Sequence, residues 1–152
     1  MNYEIILGEQ QKQNVLSIRT KTKLEELPTI IGEAYGKIMQ YLNELGLTPN
    51  EAPFTAYYNL DMTDLDVEMG FPVANQLQGK DDIKATIISA GRCISCMHKG
   101  PYSQMEAPYM EMEKWLQENG YEATGICYEY YYNSPMDVEE SELLTKIVMP
   151  LK

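Results

Sequence analysis

The densest chemistry in this 152-residue chain lies in the run Tyr128-Glu129-Tyr130-Tyr131-Tyr132, where one carboxylate sits among four phenols. Side chains alternate along a strand, so Cys127, Glu129 and Tyr131 share one face there and Tyr128, Tyr130 and Tyr132 the other. A carboxylate ringed by tyrosines is a receptor for an organic cation. The charge supplies Coulomb attraction in a partly dry site, and each aromatic face adds about 0.5–2 kcal/mol of cation–π attraction. Tyrosine hydroxyls can also hold the carboxylate by hydrogen bonds. Burial raises the pKa of such a group, and a bound cation lowers it again. The competing reading is an edge-strand Glu pointing to water, the commoner fate of a strand Glu; the aromatic surroundings favour the binding reading.

Other reactive residues form no comparable group. Cys93 and Cys96 stand three apart; on a strand they point to opposite faces and cannot readily clamp one metal ion, and no second pair accompanies them. They read as semi-buried thiols. With Cys127 the cysteine count is three, which argues against a complete disulfide framework and for a reducing, cytoplasmic setting. His98 is the only histidine, so a multi-histidine metal site is excluded. No nucleophile motif accompanies it, and it reads as structural, at the turn before Gly100-Pro101. No phosphate-cradling glycine loop is present. The expectation is no metal and no cofactor.

Charge narrows the partners. Lys and Arg total 12 against 23 Asp and Glu, a net charge of −11. No stretch is basic enough to neutralise a phosphate backbone, so a direct nucleic-acid contact is not expected. An anionic surface favours cationic partners or serves solubility. No apolar run approaches a membrane span, and Met1 to Gln10 lacks the basic start and apolar run of a secretory signal. With 44% hydrophobic and 23% charged residues, the composition is that of a globular domain.

The elements that must position Glu129 follow from an internal repeat. Residue n set against n + 74 pairs Tyr35 with Tyr109, Leu42 with Leu116, Glu44 with Glu118, Gly46 with Gly120, and Tyr57-Tyr58-Asn59 with Tyr131-Tyr132-Asn133. Those are seven identities in the 25 positions from 35 to 59, where chance gives about one or two. Four more residues of offset bring Phe71-Pro72-Val73 against Met149-Pro150-Leu151. Leu27, Ile31, Tyr35, Ile38, Leu42 and Leu45 recur at helical spacing, with Pro28 suited to the first turn and Gly46 to the stop. Met105, Tyr109, Met112 and Leu116 repeat that face, and Gly120 ends it. These stripes read as core packing. Strands are expected at Val15–Arg19, Phe54–Leu60, Val67–Val73, Lys84–Ser89, Arg92–His98, Ile126–Tyr132 and Leu144–Leu151. The acidic stretch from Asp137 to Glu142 reads as a solvated loop.

Each half is therefore strand, helix, strand, strand, with pseudo-repeats near 1–75 and 84–152 of one domain. The fold class is α+β. Two helices cover one face of an antiparallel sheet, and the other face, between the halves, is left to form a groove. At the position of Glu129 the first half carries Thr55, so two halves built alike differ by a carboxylate.

Further motifs carry a family resemblance. His98-Lys99-Gly100-Pro101-Tyr102, Trp115-Leu116, Gly120, Tyr128-Glu129-Tyr130-Tyr131 and Asn133-Ser134-Pro135 resemble the second half of the GyrI-like small-molecule-binding domain. This module is also the effector-binding domain of AraC-type and BmrR-type bacterial transcription regulators. Asp66 to Val73 resembles its segment ending in Pro-Val, and Leu143 to Ile147 with Pro150-Leu151 fits its close. Order and spacing together make the resemblance specific over nearly the whole chain.

The resemblance implies a groove for hydrophobic, often cationic, small molecules with a central acid at Glu129 and Tyr131 beside it. Tyr57, Phe71, Tyr102 and Trp115 are the further candidates for its aromatic wall; core packing is the alternative for each. The family's regulators carry a helix-turn-helix domain, whereas all 152 residues here are used by the binding domain. The leading reading is thus a free-standing drug or toxin binder or effector sensor. The runner-up, also implied by the resemblance, is a hydrolase of cyclopropane-type electrophiles with Glu129 as general base. A third is a gyrase-inhibitor-like or regulator-interacting protein.

Overall fold

The computed structural model describes residues 3–59 and 61–152. Its elements are β1 (Ile6–Gln10), β2 (Gln13–Thr22), α1 (Leu27–Glu44), β3 (Phe54–Tyr57), β4 (Leu65–Val73), β5 (Lys84–Ile88), β6 (Gly91–Lys99), α2 (Glu106–Asn119), β7 (Cys127–Tyr131) and β8 (Leu144–Pro150). The mixed α+β class and the repeated strand-helix-strand-strand order follow the sequence reading. The strand expected to reach Leu60 ends at Tyr57, and Leu60 itself lies outside the described residues.

The chain divides into two compact units. One is Gln11–Ala90; the other joins the residues up to Gln10 to Gly91–Lys152. In the first, β4 pairs with β3 and β2, and β2 pairs with β5, all antiparallel. In the second, β8 pairs with β7 and β6, and β6 pairs with β1, again antiparallel. The units thus depart from the linear halves: β1 belongs with the second repeat and β5 with the first. The links Gln11-Lys12 and Ser89-Ala90 contain no glycine, asparagine or aspartate. Two-residue hairpin turns demand positive φ that those residues supply, so neither leading strand folds back on its successor.

The matched glycines have a physical cause. Gly46 and Gly120 sit at φ 71° and 74°, beyond the end of each helix. The residue after each donates back to the matching leucine: Leu47 N–H to the Leu42 carbonyl at 2.9 Å, and Tyr121 N–H to the Leu116 carbonyl at 3.1 Å. Only glycine takes this left-handed conformation at little cost.

Each sheet buries alternate residues under its own helix. Leu16, Ile18, Val67, Met69 and Phe71 pack with Ile38 and Leu42 of α1. Ile94, Cys96, Ile147 and Met149 pack with Met112 and Leu116 of α2. Leu45, expected on the buried stripe, follows the last turn of α1 and is exposed. Cys93 and Cys96, expected to be half-buried, are buried, because β6 is an interior strand paired on both sides.

The sheet face turned away from α1 holds a second buried carboxylate, Glu68, only 8% exposed. It accepts hydrogen bonds from the hydroxyls of Ser17 (2.5 Å), Thr86 (3.2 Å) and Tyr58. Arg19 lies 3.8 Å over the Tyr58 ring and pairs with Asp66. This network ties β2, β4 and β5 to the end of β3. Glu68→Ala should cost about 2 kcal/mol, because it orphans hydroxyl donors in a buried setting. Tyr58→Phe should cost less, since one donor leaves and the carboxylate keeps two. Urea denaturation of both variants measures the difference.

Candidate functional site

Glu129 is the middle residue of β7 and is 8% exposed. Its neighbour on the same face, Cys127, packs against the cluster containing Met112 and Leu116. Glu129 therefore lies on the face that α2 covers. The expectation put Glu129 on the bare face of the sheet, and the structure puts it on the other. The physical reason is the Tyr109 phenol on α2, which reaches down to the carboxylate.

Both carboxylate oxygens are held. Tyr109 donates its hydroxyl to Oε2, and Tyr131 donates to Oε1 at 2.8 Å. Tyr102 meets the Tyr131 ring edge-on, with centroids 5.7 Å apart. The repeat explains the arrangement. In the other unit the Tyr35 hydroxyl donates to the Phe54 carbonyl at 2.8 Å and lies 3.1 Å from Thr55 Oγ1. The same helix-to-strand contact recurs at an offset of 74, with Thr55 where the second repeat has Glu129. The scaffold contact is shared, and the carboxylate is the difference.

Burial raises the Glu129 pKa above its ordinary 4.5, while the hydrogen bonds from Tyr109 and Tyr131, and His98 at longer range, oppose the rise. Burial and then the Glu129 charge push Tyr102 upward as well. Cys127 is driven to about 11, first by burial and then by Glu129 and Glu113, so its thiol stays protonated at neutral pH.

A raised acid pKa has a signed consequence for stability. Between the unfolded value near 4.5 and the raised folded value, the folded protein holds the proton more tightly than the unfolded chain does. Stability from this group is fully present below 4.5 and is lost as pH rises through the folded value. Wild-type stability measured against Glu129→Gln should fall across that window and be flat on either side. Parallel urea melts from acid to neutral pH check the sign.

The remaining candidates divide. Tyr131 and Tyr102 gather at Glu129. Trp115 stacks on Tyr121, with centroids 5.4 Å apart and planes 17° from parallel, and packs on the α2 core. Phe71 is core in the other unit, 5.2 Å from the Tyr35 ring, and Tyr57 packs on the same core. Sequence reasoning missed Tyr109 as a hydrogen-bond partner of Glu129, although its match to Tyr35 was visible. It also missed Glu68 as a buried carboxylate; Glu68 sits among apolar residues that themselves read as core.

His98 is structural, as expected. Its Nε2 donates to the Pro101 carbonyl at 3.1 Å, and its Nδ1 lies 3.2 Å from the Tyr3 hydroxyl. Both ring nitrogens are occupied. Among the described residues no group of three or more potential metal ligands converges, and no helix is long and apolar enough to cross a membrane. A surface cavity of about 260 Å³ beside α1 is lined by residues including Lys37, Glu44, Lys80 and Asp82. Those four are already joined in two ion pairs, Lys37–Asp82 and Lys80–Glu44.

Two antiparallel strand-helix-strand-strand units, each with its own covering helix, define a duplicated α+β domain. The chain belongs to the GyrI-like family, the GyrI-like small molecule binding domain, which matches residues 1–152. No curated protein matches it. The crystal structure of the EcmrR C-terminal domain is 25% identical, with a TM-score of 0.88, covering 100% of this chain and 99% of that one. The cryo-EM structure of EcmrR with DNA is also 25% identical (TM-score 0.86), but the match spans 99% of this chain and 57% of that one. SAV2435 bound to tetraphenylphosphonium is 14% identical, with a TM-score of 0.67 over 100% of this chain and 94% of that one. A hydrolase from Listeria innocua is 14% identical, with a TM-score of 0.72 over 98% and 92%. The last two likenesses concern the fold alone.

Proposed function

We propose that this protein binds hydrophobic organic cations through Glu129, with Tyr102, Tyr109 and Tyr131 around the charge. The observation that supports this most is the buried carboxylate itself, held by two phenol hydroxyls on the α2 side of its sheet. Uncompensated negative charge in such a setting is costly, and a cation with apolar substituents relieves that cost while adding cation–π contacts. A neutral ligand offers only the apolar part. Binding also pulls the Glu129 pKa down, so in the window above 4.5 a cation displaces a proton and binds more tightly as pH rises.

Titration with tetraphenylphosphonium, against an uncharged compound of similar bulk such as triphenylmethanol, tests the proposal. Saturable binding that favours the cation supports it; equal binding of both, or none, refutes it. The hydrolase reading places Glu129 as a general base whose raised pKa suits proton abstraction. Mass analysis of electrophilic candidates after incubation separates turnover from binding.

A further inference from the structure

Thr145 sits at the centre of the α2-facing side of its sheet and its hydroxyl is unaccounted for. On β8 it is two residues before Ile147 and four before Met149, both of which pack under α2, so it shares their face. Across β7 it is paired with Tyr131, and across β6 with His98. Glu129 pairs with Ile147, which makes Glu129 the diagonal neighbour of Thr145, at about 7–8 Å. Thr145 is 0% exposed. Its Oγ1 is buried and has no hydrogen-bond partner among the described residues.

Around it, polar side chains on this face are satisfied. Glu129 has two phenol donors and His98 uses both nitrogens. A buried hydroxyl without a partner is unfavourable, and valine would fill the same volume without that penalty. An orphaned hydroxyl one diagonal step from the candidate ligand-binding carboxylate is the pattern of a group that the ligand completes.

Resting on the reading of Glu129 as a cation site, we infer that Thr145 is a specificity-determining residue of that site, hydrogen-bonding a polar substituent of the cationic ligand. The favoured ligand class is then an apolar cation bearing a hydroxyl, carbonyl or similar group a short distance from its charge, rather than a purely hydrocarbon cation. Access requires a side chain to move. Tyr102 is the member of the cluster with room to do so: it is 42% exposed and stands on the one-turn helix Tyr102–Gln104. Side-chain rearrangements of this size are common on binding.

The test uses T145V, which keeps the volume and removes the hydroxyl, and T145S, which keeps the hydroxyl. Unliganded T145V should melt at or above the wild-type temperature, because an orphaned donor is removed. The probes are tetraphenylphosphonium and its three mono-hydroxylated analogues. At least one analogue should bind wild type and T145S more tightly than T145V by about 3–10-fold, the worth of one hydrogen bond. Tetraphenylphosphonium should bind all three proteins alike. A lower melting temperature for unliganded T145V would show a structural hydroxyl and overturn the inference. So would equal loss of every probe, or no change in any. If tetraphenylphosphonium binding depends on Glu129 but no probe distinguishes T145V, the Thr145 inference alone fails. If wild type binds none of the cations, the reading of Glu129 fails and takes this one with it.

Discussion

Glu129→Gln is expected to weaken binding of tetraphenylphosphonium by about 2–4 kcal/mol, the lower part of the cost of removing one partner of a desolvated charge pair. The substitution keeps the size of the side chain and an oxygen that can accept from Tyr109 or Tyr131. It removes the charge, and it places an amide N–H₂ where one phenol now donates. A neutral compound of matched bulk should lose far less, since its contacts are with the rings. Isothermal titration of both ligands against both proteins gives the comparison directly. If the chain is a hydrolase, the same variant should lose turnover while substrate binding persists, because a general base acts in the transition state. Unchanged affinity for the cation together with unchanged turnover would place Glu129 outside the working site.

Gly70→Ala should be among the most damaging small substitutions in the chain, costing about 3 kcal/mol or more, at or above the upper end for overpacking. Gly70 lies in the middle of β4, opposite Ser17 of β2 and Phe54 of β3. A Cβ built there would stand 2.3 Å from the Leu16 carbonyl oxygen and 2.8 Å from Ser17 Cβ. The nearest obstacle is backbone, not the end of a flexible side chain, so relief requires separating two central strands. The same shift would pull Ser17 away from Glu68. Gly8, Gly32 and Gly36 have open space where a methyl would be added, and alanine at Gly36 within α1 should be neutral or stabilising. Thermal melts of Gly70→Ala and Gly36→Ala should move in opposite directions or by very different amounts.

The sequence carried the repeat and the contrast between Glu129 and Thr55, for a physical reason. Gly46 and Gly120 end their helices alike, and Tyr35 and Tyr109 reach the same strand position, so they recur at one offset. Glu129 differed from Thr55 at an otherwise equivalent place, and that contrast survived folding. Other features were not local. Period-two alternation groups Glu129 with Cys127 and Tyr131 but says nothing about which face a helix covers, so it did not show that Glu129 lies beneath Tyr109 of α2. Trp115 and Phe71 are aromatic residues whose chemistry suits a ligand wall or a core equally, and only packing separates them. Glu68 drew no reading of its own, because its partners Ser17, Tyr58 and Thr86 are distant in sequence and only the fold closes them on it. β1 was missed because Ile6 to Gln10 has only two apolar side chains, both partly exposed, and its pairing partner is more than eighty residues away.

The placement of β1 and β5 bears on how such a chain could arise. Each repeat gives its leading strand to the sheet of the other, so a polypeptide with a single repeat would leave one sheet edge without its outer strand and one strand without a sheet. A second copy supplies both deficits at once, as in a strand-exchanged dimer. Joining two copies head to tail preserves every pairing while freeing the halves to diverge. Once fused, one half could keep threonine beneath its helix tyrosine and the other acquire glutamate. A symmetric pair would place an acid at both positions or at neither; fusion is what permits a single charge.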